Sequence, residues 1–193
     1  MGVIVNHPPS PRNVSLETAH AVREVAGDKM VLLSVNQSLA ELRDLHAQLT
    51  PEIVQLHGDE SPQLVEALAS DGIRVWKAIH GDAPALMSSA RGFRDAGAEA
   101  VLVDARESKP GGTIYGGTGK IADWNGARAL VDAGFRVVLA GGLSPDNVAH
   151  AVQIVKPFAV DCISGVEASK GTKDESKVRA FVRAARSTSK NAL

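Results

Sequence analysis

The sequence holds one cysteine, Cys162, in 193 residues. A single thiol cannot build an internal disulfide framework or a multi-cysteine zinc site. Charge of either sign is not in excess: 21 basic residues stand against 22 acidic ones, a net of −1. Without a basic surplus, nucleic-acid binding through phosphates is not expected. No stretch approaches roughly 18 uninterrupted apolar residues, so no membrane span can be read. The opening segment, Met1–Arg12, lacks a basic region followed by an apolar one, and Asn6 breaks the myristoylation pattern that Gly2 would begin. These absences point to a soluble cytoplasmic protein. What is there is ordinary for a globular chain, with 44% hydrophobic and 22% charged residues. At ~150 residues per domain, a single domain over 1–193 is expected.

Short, near-continuous apolar runs stand at Val3–Val5, Val31–Val35, Ile53–Leu56, Arg74–Ile79, Ala100–Val103, Arg136–Ala140 and Ala159–Ile163. Strands buried on both faces of a parallel sheet read this way, because neither face meets water. A helical pattern follows each run. Ser15, Ser38 and Ser61 are expected N-caps, and Ser144-Pro145 repeats the Ser61-Pro62 signature of a cap followed by proline at the first helical position. Pro84, Trp124 and Asp174 open three more helices. Gly72, Gly97 and Gly134 fall where left-handed glycines close helices. Strict βα alternation predicts an all-parallel α/β sheet, either doubly wound or a (β/α)₈ barrel, and the repeat favours the barrel. The glycine-rich loop Ala105–Asp123 is too long to be an idle connection.

In such folds ligands bind at the carboxyl ends of strands. Gly141-Gly142 and Ser164-Gly165 follow the last two runs. Small residues there let backbone N–H groups approach a phosphate, although glycines after strands are also plain turn residues. Asp104 ends a run at the pocket rim, where it reads either as a general acid or as a loop cap. Arg12 follows the stiff Pro8-Pro9-Ser10-Pro11 and suits a substrate carboxylate, or is simply solvated. Two nucleotide motifs fail. Gly117-Thr118-Gly119-Lys120-Ile121-Ala122 lies too far beyond its strand for a dinucleotide fingerprint, and Gly112–Gly117 is followed by Thr118 where a phosphate-loop lysine is needed. His20, His46 and His150 fall in helices; His57 and His80 end strands. No histidine pair has metal-ligand spacing.

Read in order, several stretches become specific together. They are Ser10-Pro11-Arg12, Val54-Gln55-Leu56-His57-Gly58, Leu102-Val103-Asp104, Gly116-Gly117-Thr118-Gly119 with Asp123-Trp124, Ala140-Gly141-Gly142-Leu143 with Asn147-Val148, and Asp161 through Glu167 with Gly171, Lys173 and Asp174. The set resembles phosphoribosylanthranilate isomerase, a (β/α)₈ TIM-barrel family of tryptophan biosynthesis. The resemblance implies an Amadori rearrangement of N-(5-phosphoribosyl)anthranilate to 1-(2-carboxyphenylamino)-1-deoxyribulose 5-phosphate, the third step from chorismate to tryptophan, with no cofactor and no metal. It implies that Asp104 is the general acid and that Arg12 meets the anthranilate carboxylate. Backbone groups at Gly141, Gly142, Ser164 and Gly165 would hold the phosphate. Gly116, Gly117, Thr118 and Gly119 would belong to a loop covering the substrate, and Gln55 and His57 would line the pocket. The expected partner is a small phosphosugar, bound by a monomer or homodimer.

One departure counts against the matches. Family members begin with a strand carrying Lys-Ile-Cys-Gly, whose cysteine is the general base, and this sequence contains no such motif. The first run therefore reads as the second strand of a barrel with seven βα units, its first strand and helix absent. A shortened chain, a barrel completed by another chain, and a rearranged sheet are the three accounts. Cys162 is a poor replacement base: if Ile163 faces the barrel, strand alternation turns Cys162 toward the helices. His7, after the first run, is a looser candidate. The alternative function is a non-catalytic phosphate-binding barrel remnant. Indole-glycerol-phosphate synthase, another phosphosugar barrel, uses lysines and glutamates at several strand ends. Lys77 is the only lysine inside a run here.

Overall fold

The structure, a computed structural model, describes residues 1–104, 107–109, 112–114 and 122–187. They form two compact units: Met1–Ala78 with Gly92–Ala100, and Ile79–Arg91 with the residues from Val101 on.

In the first unit, β1 (Gly2–Val5), β2 (Asn13–Val14), β3 (Val31–Ser34), β4 (Ile53–Leu56) and β5 (Val75–Ile79, without its last residue) lie in the order β5-β4-β3-β1-β2. Every pairing is parallel. The helices α1 (Leu16–Ala26), α2 (Leu39–Leu49) and α3 (Pro62–Ser70) connect these strands. Each begins at its expected serine. Ser15 Oγ accepts from Thr18 N–H, Ser61 Oγ accepts from Leu64 N–H, and Ser38 closes a reciprocal box with Glu41. Those bonds satisfy N–H groups that the first helical turn leaves unpaired. The helices bury an apolar stripe on the sheet. Leu42, Leu45 and Leu49 of α2 and Val65 and Leu68 of α3 join Val3, Val5, Leu32, Val54 and Leu56 in one core. Truncating a fully buried member such as Leu42 to alanine would cost about 2–5 kcal/mol. Gly97 shows why a glycine closes the preceding helix. Its φ is +96°, and a Cβ there would meet Ala69 Cβ at 2.8 Å.

In the second unit, β6 (Ala100–Val103, from Val101), β9 (Val137–Leu139) and β10 (Ala159–Val160) are parallel in the order β10-β9-β6. α4 (Ala83–Asp95, to Arg91), α5 (Trp124–Asp132), α6 (Val148–Val155) and α7 (Glu175–Ser187) belong with them. Two antiparallel ribbons also occur, β7 (Glu107–Lys109) with β8 (Gly112–Ile114), and β11 (Glu167–Ser169) with β12 (Thr172–Lys173). Leu102, Leu130, Leu139, Val148 and Val155 are fully buried.

The described residues thus include eight parallel strands, as the expected parallel α/β pattern requires. Seven are the expected runs. The eighth, β2, is not among those runs. Two residues are too short to make an apolar run, so pattern alone could not register it. Local turns bring it back beside β1: Ser10 N–H donates to His7 O, Asn13 N–H donates to Ser10 O, and Asn13 Oδ1 accepts from His7 N–H. The last run is shorter than expected, because the chain turns after Val160. The Ser144-Pro145 cap also needs correction. α6 begins at Val148, and Ser144–Asn147 form a separate turn held by Asn147 Oδ1 on Ser144 N–H at 2.8 Å. Part of the Ala105–Asp123 loop is the β7–β8 ribbon.

Candidate functional site

The site residues expected in the first unit sit at strand ends. Gln55 in β4 and His57 just after it are 4% and 3% exposed, and meet through Gln55 Nε2 and His57 Nδ1 at 3.1 Å. Arg12 lies half-buried just before β2, with its N–H donating to Ser10 Oγ. On the other face of the same strands, the side of Leu56, the structure reveals a buried polar group that sequence patterning missed in part. Lys77 on β5 is 2% exposed, and its Nζ lies 3.1 Å from Glu60 Oε2. The same ammonium donates to the carbonyls of Gly58 and Ala78 at 2.9 and 2.8 Å. Glu60 accepts in turn from the N–H groups of Asn36 and Gly58. A buried ammonium requires this many partners, because an unpaired charge out of water costs several kcal/mol. The available signal was Lys77 itself: a lysine inside an apolar strand demands an acidic partner at a neighbouring strand end. Glu60, three residues past His57, gave no periodic sign of being that partner.

In the second unit, Asp104 follows β6 and is 7% exposed. His80 Nδ1 lies 3.3 Å from the Asp104 carbonyl oxygen, and the Asp104 N–H donates to Ile79 O at 3.5 Å. Gly141 and Gly142 follow β9, with φ of +78° and +65°. Side chains bearing Cβ rarely adopt that conformation, so the turn requires glycine twice in succession. Asn147, at the start of α6, donates from Nδ2 to Gly142 O at 2.9 Å and holds the turn. Ser164 and Gly165 lie in a short 3₁₀ turn, Ser164–Val166, after β10. Gly165 is there for space: a Cβ would collide with the Leu143 carbonyl oxygen and lie 3.0 Å from Cys162 Sγ. The structure therefore presses the loop after β9, at Leu143, against the loop after β10, at Gly165. Backbone N–H groups of glycine turns at strand ends are of the kind that suits an anion.

Cys162 belongs to this loop pair. Its thiol donates to Leu143 O at 3.0 Å. Burial, and next the negative charge of Asp161, push it up to about 11. A thiol so protonated and so engaged is a weak base at neutral pH. His7 is half-buried after β1, while His20 and His150 are exposed on their helices. Gly116, Gly117, Thr118 and Gly119 lie outside the described residues. Among the described residues, no group of three His, Cys, Asp or Glu could hold a metal ion, and no helix is long and apolar enough to cross a membrane.

The chain matches the family model of N-(5'-phosphoribosyl)anthranilate (PRA) isomerase over residues 2–184. It is 39% identical over 180 residues to the N-(5'-phosphoribosyl)anthranilate isomerase of Haloferax volcanii, covering 92% of this chain and 78% of the relative. Among solved structures, monomers of the dimeric phosphoribosylanthranilate isomerase from Thermotoga maritima superpose with a TM-score of 0.80. They are 30% identical, over 96% of this chain and 86% of that one. A phosphoribosylanthranilate isomerase in complex with reduced 1-(o-carboxyphenylamino)-1-deoxyribulose 5-phosphate gives a TM-score of 0.77 at 30% identity, with the same coverage of each chain.

Proposed function

The chain belongs to the N-(5'-phosphoribosyl)anthranilate isomerase family, and from that premise we propose that it rearranges N-(5-phosphoribosyl)anthranilate to the aminodeoxyribulose phosphate, an aldose–ketose isomerisation of cytoplasmic tryptophan biosynthesis. The observation that carries the reading to this chain's own residues is the pair of glycine loops after β9 and β10, pressed together at Gly165 and Leu143. They would take the substrate's phosphate on the N–H groups of Gly141, Gly142, Ser164 and Gly165. Arg12 would take the anthranilate carboxylate through its planar guanidinium, and Gln55 and His57 are further candidates for contact with the substrate. Asp104 is the general acid. It gives its proton to the furanose ring oxygen as the C1′–O bond breaks, leaving an open-chain Schiff base. A base then takes the C2′ proton, and the enolamine collapses to the ketone, so no atom is gained or lost. The substrate is a small phosphosugar bound by a monomer or homodimer, and the chemistry asks for no cofactor.

A second reading is favoured by one observation. The sequence's only cysteine donates its thiol to Leu143 O and is pushed up to about 11. A member of the family without a competent base would bind the phosphosugar and not turn it over. One experiment separates the two. Loss of phosphoribosylanthranilate is followed by anthranilate fluorescence, and affinity for the reduced product analogue is measured alongside. Turnover that falls about 10²–10⁴-fold in Asp104→Asn with binding retained supports the isomerase. Tight binding with no turnover supports the second reading. A folded protein that neither binds nor reacts refutes both.

A further inference from the structure

We propose that Gln37, seated by the buried Glu60–Lys77 pair, is a positioning residue for the loop that carries Arg12 and so sets recognition of the substrate's carboxylate. The inference rests on the assignment of Arg12 to that carboxylate. Gln37 follows the end of β3 and is buried. Its Nε2 donates to Val5 O at 3.1 Å and to Asn6 O at 3.4 Å, and its Oε1 accepts from Ser34 Oγ at 2.9 Å. It therefore grips the backbone at the end of β1, where the Asn6–Arg12 loop departs.

Two features show that the grip is built rather than incidental. Asn6, where the loop begins, has φ of +56°, a conformation that costs a side chain about 1–2 kcal/mol and persists only where neighbours hold it. Asn36, immediately before Gln37, has φ of +54°. Its N–H donates to Glu60 Oε1 at 2.9 Å, and its Oδ1 accepts from Asp59 N–H at 2.7 Å. Glu60 is in turn fixed by Lys77. An unbroken series of contacts thus runs from Lys77 through Glu60 and Asn36 to Gln37, and from there to Asn6. None of these side chains needs to touch the ligand. Their effect is to fix the starting direction of a loop whose prolines transmit that direction to Arg12.

The test compares two ligands, the reduced product analogue and the same molecule lacking its o-carboxylate. Their dissociation constants are measured on the parent chain and on Gln37→Met, which keeps length and removes the amide. The carboxylated ligand should weaken about tenfold, since a small misplacement of a charged contact has effects of this order. The carboxylate-free ligand should change less than about twofold. A merely structural role would weaken both equally. Equal losses, or no loss in either ligand, would overturn the proposal. Ser34→Ala, which removes only the hydroxyl partner of Gln37, gives the same readout should Gln37→Met fail to fold. Arg12→Ala separates the two levels of inference. If it leaves the preference for the carboxylated ligand intact, the Arg12 assignment is wrong. If it abolishes the preference and the Gln37 and Ser34 variants do not reduce it, the positioning role is wrong.

Discussion

Replacing Gly165 with alanine probes the loop pair with one methyl group. Gly165 is not among the residues of positive φ, so alanine meets no backbone penalty there. The entire cost is steric. The new Cβ collides with the Leu143 carbonyl oxygen and stands 3.0 Å from Cys162 Sγ. The carbonyl is backbone and cannot rotate aside, so the two loops must part by about 1 Å to reach ordinary contact. Overpacking of this kind costs about 1–3 kcal/mol, which for a chain of this size is roughly 3–10 °C in Tm. The same movement separates the N–H groups proposed to hold the phosphate. A displacement near 1 Å in a binding constellation can cost on the order of 10²-fold. Affinity for the phosphorylated product analogue should therefore fall much further than affinity for its dephosphorylated form. Thermal melting and titration of both ligands measure the two effects. A Gly165→Ala variant with parental Tm and parental preference for the phosphorylated ligand would refute both the close packing and the phosphate assignment.

Lys77→Met should lower stability by about 3–5 kcal/mol, because Glu60 is left as a buried charge. Adding Glu60→Gln should recover much of that loss, since the amide oxygen still accepts a backbone N–H and no charge remains; chemical denaturation of the single and double variants decides this. Cys162 predicts an alkaline effect. Its thiol moves from 9.0 to about 11 in the folded state, so its contribution to stability is complete below pH 9 and is lost as pH rises through 11. Unfolding free energy of the parent should decline faster across that window than that of Cys162→Ala, and parallel curves would show the shift to be absent. At pH 8 the thiol should react with iodoacetamide much more slowly in the folded chain than in denaturant; equal rates would contradict its burial.

Local rules carried much of the fold. The apolar runs located seven of the eight parallel strands among the described residues because strands covered on both faces have no polar side to show. Ser15, Ser38 and Ser61 opened helices as expected, since a cap bond spans only three residues. Ser144 misled because a serine before proline can as well begin an isolated turn, and here Asn147 completes that turn before α6 starts. The sequence by itself also determined the family, through short motifs spread from Ser10 to Asp174. It located Asp104, Gly141, Gly142, Ser164 and Gly165 after strands, where ligands bind in such folds.

Only tertiary structure could decide the rest, because the contacts join residues distant in sequence. β2 exists because turns between His7 and Asn13 return two residues to the side of β1. Gly165 matters through Leu143, and the Cys162 thiol donates to the same carbonyl, across a separation that no periodicity records. Lys77 announced in the sequence that it needed an anion. That the anion is Glu60, and that Glu60 reaches through Asn36 to Gln37 and the base of the Arg12 loop, follows from the parallel register that sets the ends of β1, β3, β4 and β5 side by side.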